Sequence, residues 1–148
     1  MLKRIQTRSN LSMRGINISL DLCPVCSNEV ETEEHLFHSC TGASEIWKWF
    51  FNWCNLKMEQ YATLDLLLPN LIDRGKTAKE RQLLEADVGC ILWFVWKARN
   101  NVVFNNKNLS ATMVMDDVQA SLYTWIKYRG KISSVLWCNW CCNPLSSL

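Results

Sequence analysis

The sequence is short of the residues that make a chain fibrous or unfolded, with five glycines and three prolines among 148 residues. That scarcity excludes collagen-like and linker-like classes. It is also short of net charge. A formal +2 is too small to argue for nucleic-acid binding by itself. Long apolar runs are missing too. The longest, Val88 to Trp96, is broken by Gly89 and Cys90, whereas a bilayer helix needs about 20 apolar residues. Lys3 and Arg4 are followed by polar residues, not by the apolar stretch of a secretory signal. The expectation is a soluble intracellular chain with no membrane partner, nucleus and cytoplasm both open. Its cysteines then read as thiols or metal ligands and not as disulfides. A nucleophile–base pair and a phosphate-binding loop are also lacking, so an enzyme is the least favoured class.

What is present is a globular composition, 49% hydrophobic and 20% charged, with eight Trp and eight Cys. A chain of this length buries roughly two thirds of its unfolded surface. Indoles in such number must be buried or used at a surface.

Cys23-Pro24-Val25-Cys26, His35 and Cys40 form the pattern C-x2-C-x8-H-x4-C. Three thiols and one imidazole at these spacings can close a tetrahedral shell around one structural Zn2+ with no open position. Cys23 and Cys26 turn both sulfurs to one side of a knuckle. Thr32 caps a short helix, with Glu33 and Glu34 favouring its positive end. His38 competes with His35, but His38 and Cys40 would point to opposite sides of a helix, and the longer gap favours His35. Without metal, residues 20–42 hold too few apolar side chains to stay ordered.

The expected fold is mainly α, a small zinc-knuckle module followed by an antiparallel helical hairpin. Residues 1–56 hold the zinc module with a basic lead-in. Within them an aromatic helix starts after Gly42 with Ser44 as cap, and it is apolar nearly all round. Residues 57–76 read as a linker, with Pro69-Asn70 and Arg74-Gly75 as turns. Residues 77–130 read as the hairpin. Thr77 and Glu80 make a capping box, and Leu84, Val88, Ile91, Val95, Ala98 and Val102 form a helical stripe. Ser110 caps a second helix through Val114, Val118, Leu122 and Trp125, ending at Arg129-Gly130. Residues 131–148 are a Trp/Cys tail in which Cys138, Cys141 and Cys142 read as free thiols.

The knuckle, the acidic stretch through Glu34, His35-Leu36-Phe37, Cys40 and Trp47 together resemble the zinc-binding domain that follows the polymerase in plant non-LTR retrotransposon reverse transcriptases. Thr7-Arg8-Ser9-Asn10-Leu11 and Arg14-Gly15-Ile16 fit that family's lead-in. Trp93-Phe94-Val95-Trp96-Lys97-Ala98-Arg99-Asn100 and Phe104 look like its downstream Trp-x-x-Trp-x-x-Arg-Asn segment. The resemblance implies a truncated copy of the retroelement's zinc module, with neither polymerase nor ribonuclease H domain. Its inherited role would be binding or positioning RNA or single-stranded DNA. Asp116-Asp117 mimics a polymerase metal box, but its flanks have helical period, so it reads as a solvated helix face.

Candidate nucleic-acid residues are Lys3, Arg4, Arg8 and Arg14, beside the knuckle, and Lys97 and Arg99, near Trp96. Lys127, Arg129 and Lys131 near Trp125 form a weaker group. Glu29, Glu31, Glu33 and Glu34 would oppose a phosphate backbone. The competing reading is a protein-interaction module, binding a partner or itself through the Trp47–Trp53 surface.

Overall fold

The computed structural model describes residues 4–128 and 135–147. Lys3, Arg129, Gly130 and Lys131 lie outside them, and with them the expected end of the second hairpin helix. The described chain is mainly helical, and its only strand-like pairing is one antiparallel bridge between Leu22 and Val30.

Helix α1 (Arg8–Met13) starts at Thr7, whose hydroxyl accepts from the Asn10 amide. Residues 8–10 of the lead-in are docked on the knuckle segment. Asn10 is buried and donates to Ile5 O and to Glu33 Oε1 at 2.7 Å. The Leu22–Val30 bridge closes the knuckle. A π-turn, His35–Ser39, follows, and then α2, Thr41–Trp53. This helix begins ahead of the expected Ser44 cap. Extended Cys40 takes the capping position, and the Ser44 amide donates to Cys40 O. Gly42 lies in the first turn, where a Cβ would meet Val25 Cγ1 at 3.0 Å and Leu109 Cδ2 at 3.2 Å. Its missing side chain lets the knuckle approach α2 closely.

Residues 57–76, expected as a linker, carry α3 (Leu64–Asp73). Leu64, Leu67 and Leu71 are buried in the shared core, and Glu34 Oε1 accepts from the Leu64 amide at 2.8 Å. Pro69 lies inside this helix. Its missing donor costs a hydrogen bond, and the three buried leucines and the Glu34 cap offset that loss. A proline read as a turn was thus overridden by tertiary burial.

Helix α4 (Ala78–Asn105) starts at Thr77, whose hydroxyl accepts from Glu80 N at 3.1 Å. Glu80 returns its carboxylate to Lys76 N, one residue before the position a capping box uses. The helix ends at Asn106 in a left-handed conformation, φ 50°. Residues 106–110 lead into α5 (Ala111–Tyr128), which packs against α4 and α2. Asp116 and Asp117 are exposed on α5.

The described part of the tail, residues 135–147, is packed on the core. Trp140, on α6 (Trp137–Cys142), is fully buried. Its ring meets Trp53 edge-on at 5.2 Å, its Nε1 donates to Gln119 O, and Trp53 Nε1 donates to Trp140 O. Two buried indoles thereby satisfy their polar edges while filling one core. The aromatic face of α2 is accordingly interior. Trp47, Phe50, Phe51 and Trp53 are buried and, of the α2 aromatics, only Trp49 is exposed, so most of the Trp47–Trp53 aromatic surface packs inside the core. One core runs from Cys23 and Phe37 through α2–α5 to Trp140.

Asp87 lies in this core with no exposure and no partner for either carboxylate oxygen. Burial raises its pKa well above the usual carboxylate value. The folded chain therefore binds a proton that the unfolded chain has released, and stability falls as pH climbs above the ordinary carboxylate range through the folded pKa. Asp87→Asn should flatten that decline, read as urea midpoints from about pH 4 to about pH 8 against the parent. An unchanged slope would remove Asp87 as its source.

Candidate metal centre

Three local structures bring the donors together. The Leu22–Val30 bridge, with Cys23 N donating to Glu29 O at 2.6 Å, folds the knuckle back on itself. Ser27 N donates to Cys23 O, and Ser27 takes φ 58° to complete the turn. Thr32 Oγ1 accepts from His35 N, which starts the short helical segment. Cys40 N then donates to His35 O at 2.7 Å, closing an i→i+5 turn. On an α-helix, residues five apart point about 140° apart. The wider π-turn brings His35 and Cys40 to the same side, as such turns do at functional sites.

The Sγ atoms of Cys23, Cys26 and Cys40 and a ring nitrogen of His35 all lie within 4.8 Å of one another. Cys23 Sγ and Cys40 Sγ are 3.9 Å apart, close to the roughly 3.8 Å that two sulfurs on a tetrahedral zinc require. Cys26 Sγ and His35 Nε2 are 3.1 Å apart, drawn in by a thiol–imidazole hydrogen bond. His38 is outside the cluster, paired through Nδ1 with Glu34 Oε1 at 3.1 Å. Among the described residues this is the one such group of potential metal ligands.

The surroundings fit a metal. His35 Nδ1 faces Glu29 Oε2 at 3.1 Å and Ser39 Oγ at 3.2 Å, which leaves Nε2 to point at the sulfurs. Outer partners of this kind fix the tautomer and orientation of a ligating imidazole. The hydrogen bond between Cys23 and Cys40 pushes the Cys23 thiol up and holds Cys40 below its ordinary value. Amides of Gly42 and Ala43, at the start of α2, also lower Cys40, as a helix N-terminus does for a thiolate. The donor set fits one zinc ion with four protein ligands, a closed and structural shell.

The residues expected to meet nucleic acid are scattered. Arg4, Arg14 and Lys97 are exposed. Arg8 is half-buried, and its guanidinium donates to Leu22 O. Arg99 is a correction, because it is buried. Its Nε and Nη2 reach the two carboxylate oxygens of Glu31, both at 2.6 Å, and Glu31 has no exposure at all. The guanidinium also sits 5.0 Å over the Trp96 ring. Glu31 Oε2 further accepts from Arg8 N, and Glu31 O accepts from Ser9 N. This carboxylate joins α1, the knuckle and α4. A sequence signal did exist: Arg99 follows Val95 by four residues and so falls on the buried stripe.

Residues 1–47 match the family described as zinc-binding in reverse transcriptase. The matched segment contains all four cluster residues and supports a reverse transcriptase zinc-binding domain there. It ends within α2, so α3 to α6 lie beyond it. No curated protein and no solved structure matches the chain.

Proposed function

We propose that the chain is a non-catalytic zinc module of the retroelement reverse transcriptase type, of the plant non-LTR kind, that binds or positions a nucleic-acid strand for a polymerase. The observation that carries this reading is the closed Cys3His cluster within a segment that matches that family. A shell filled by four protein ligands holds a shape and leaves no position for a substrate. Cys23, Cys26, His35 and Cys40 would hold the ion, which cross-links the knuckle to the π-turn. In the acidic group beside the knuckle one carboxylate is paired with a cation and two accept from neutral donors, while Glu29 stays exposed. Glu31 is neutralised by Arg99, Glu33 accepts from Asn10, and Glu34 caps α3. Arg4 and Arg14 on the N-terminal arm, with Arg8 behind them, supply the positive approach to the strand. The module works in the cell interior, where its eight cysteines stay reduced.

Filter binding of labelled RNA and single-stranded DNA to the zinc-loaded chain tests this reading. Affinity should fall steeply as salt rises from about 50 to about 200 mM, because each neutralised phosphate releases counterions. Salt-insensitive self-association without strand binding would contradict it and favour a protein-interaction module.

A further inference from the structure

We propose that the outward face of α4, from Gly89 through Trp93 and Lys97 to Phe104, is a docking surface for an unpaired nucleic-acid strand. The proposal rests on the nucleic-acid role argued above and gives that role a location outside the zinc segment.

Gly89, Trp93, Lys97, Asn100 and Phe104 recur every three or four residues, which places them on one face of the helix. The opposite face is built into the core through Leu84, Val88, Ile91 and Val95. Large apolar rings on the outward face are nevertheless bare, with Trp93 63% and Phe104 76% exposed. Folding does not account for them.

Gly89 also stands out on this face. It lies inside a 28-residue helix, where glycine is a poor choice. A Cβ there would meet nothing within 4 Å, and its φ is not left-handed. Neither packing nor backbone conformation asks for glycine. What its bare backbone provides is an open place one turn from the Trp93 ring, of the kind used where a ligand approaches the main chain.

The pairing of bare rings with cations points to the occupant. From Gly89 to Met115 the charged residues are Lys97, Arg99 and Lys107, all cations, while exposed Glu85 lies one turn before Gly89 and exposed Asp116 and Asp117 follow Met115. Arg99 is engaged by Glu31. Lys97, with Nζ 5.1 Å from the Phe94 ring centre, and Lys107 line a shallow depression beside the stripe, together with Asn101, Asn108 and Ser110. Asp117 is also on its wall and is the one carboxylate there. Exposed rings alternating with lysine and amide side chains suit unpaired bases, which stack while their phosphates meet the cations. A duplex hides its base faces from such rings.

Fluorescence anisotropy with fluorescein-labelled oligothymidylate and oligouridylate of about a dozen nucleotides tests this on the full zinc-loaded chain. Trp93→Ala and Phe104→Ala should each weaken binding about tenfold, within the range for loss of one stacked base. Gly89→Leu should weaken it similarly while zinc content and circular dichroism stay at parent values. Lys97→Glu should lower affinity and reduce the salt slope by about 1. An Arg4→Glu/Arg14→Glu variant separates the two ideas. If strands bind, only that variant fails and the α4 variants bind like the parent, the stripe is overturned and the nucleic-acid role stands. If the parent binds neither strand at low salt, both are overturned. A parent dimer that sediments as monomer after Trp93→Ala, without strand binding, makes the face a self-contact and overturns the proposal.

Discussion

Chelating the metal, or replacing Cys26 by Ser, should unfold the segment from the knuckle to Cys40 and loosen the helices packed on it. The binding free energy of a structural zinc is about 10 kcal/mol or more, while a whole domain is stable by only about 5–15 kcal/mol. Apart from the metal, the segment is held mainly by its polar tethers through Glu31, Glu33 and Glu34 to Arg99, Asn10 and Leu64. Its regular pairing is one bridge and one π-turn, and between Cys23 and Cys40 the fully buried apolar residues besides those two ligands are Leu36 and Phe37. Its loss would spread, because Phe37 O accepts from Trp47 Nε1 and Glu34 caps α3. Amide hydrogen exchange should show protection vanishing first over the knuckle and π-turn, then falling in α2 and α3. A thermal midpoint and exchange pattern indifferent to chelator would contradict a structural metal.

Arg99→Ala should destabilise the chain by about 3–5 kcal/mol, as loss of one partner from a buried ion pair does. It leaves Glu31 with no exposure and only the Arg8 amide for its carboxylate. Replacing both partners, Glu31→Gln with Arg99→Met, should recover a large part of the loss, because no uncompensated charge remains. Urea denaturation of the two single variants and the double variant measures the coupling. Additive losses would mean that the pair does not act as a unit. Arg99→Ala should also weaken zinc retention, since Glu31 tethers the knuckle to α4, whereas an exposed nucleic-acid contact would leave zinc content untouched.

The same pair shows where sequence reading stopped. Arg99 was placed with surface cations on residue type and its neighbour Trp96, although its spacing from Val95 put it on the core stripe. Its partner lies 68 residues away, and one sequence carries no record of such a contact. Asp87 has no reading in the sequence, and its burial has a different origin, since it has no hydrogen-bond partner among the described residues. It adjoins Val88 on the stripe, and a carboxylate there reads as a surface residue until the structure shows no solvent. The zinc ligands were legible because a coordination shell constrains residue type and spacing together. The main helices were legible because Thr77, the apolar period of α4 and Ser110 are local signals. Helix α3 was hidden by Pro69, and the docking of α6 depends on Trp53 and Trp140 meeting across 87 residues, which no local pattern encodes.

Native mass spectrometry of the whole chain and of its Cys26→Ser variant is the most direct test of the central claim. One zinc per chain, absent from the variant, is the predicted result. A folded parent chain that carries no zinc would contradict the account.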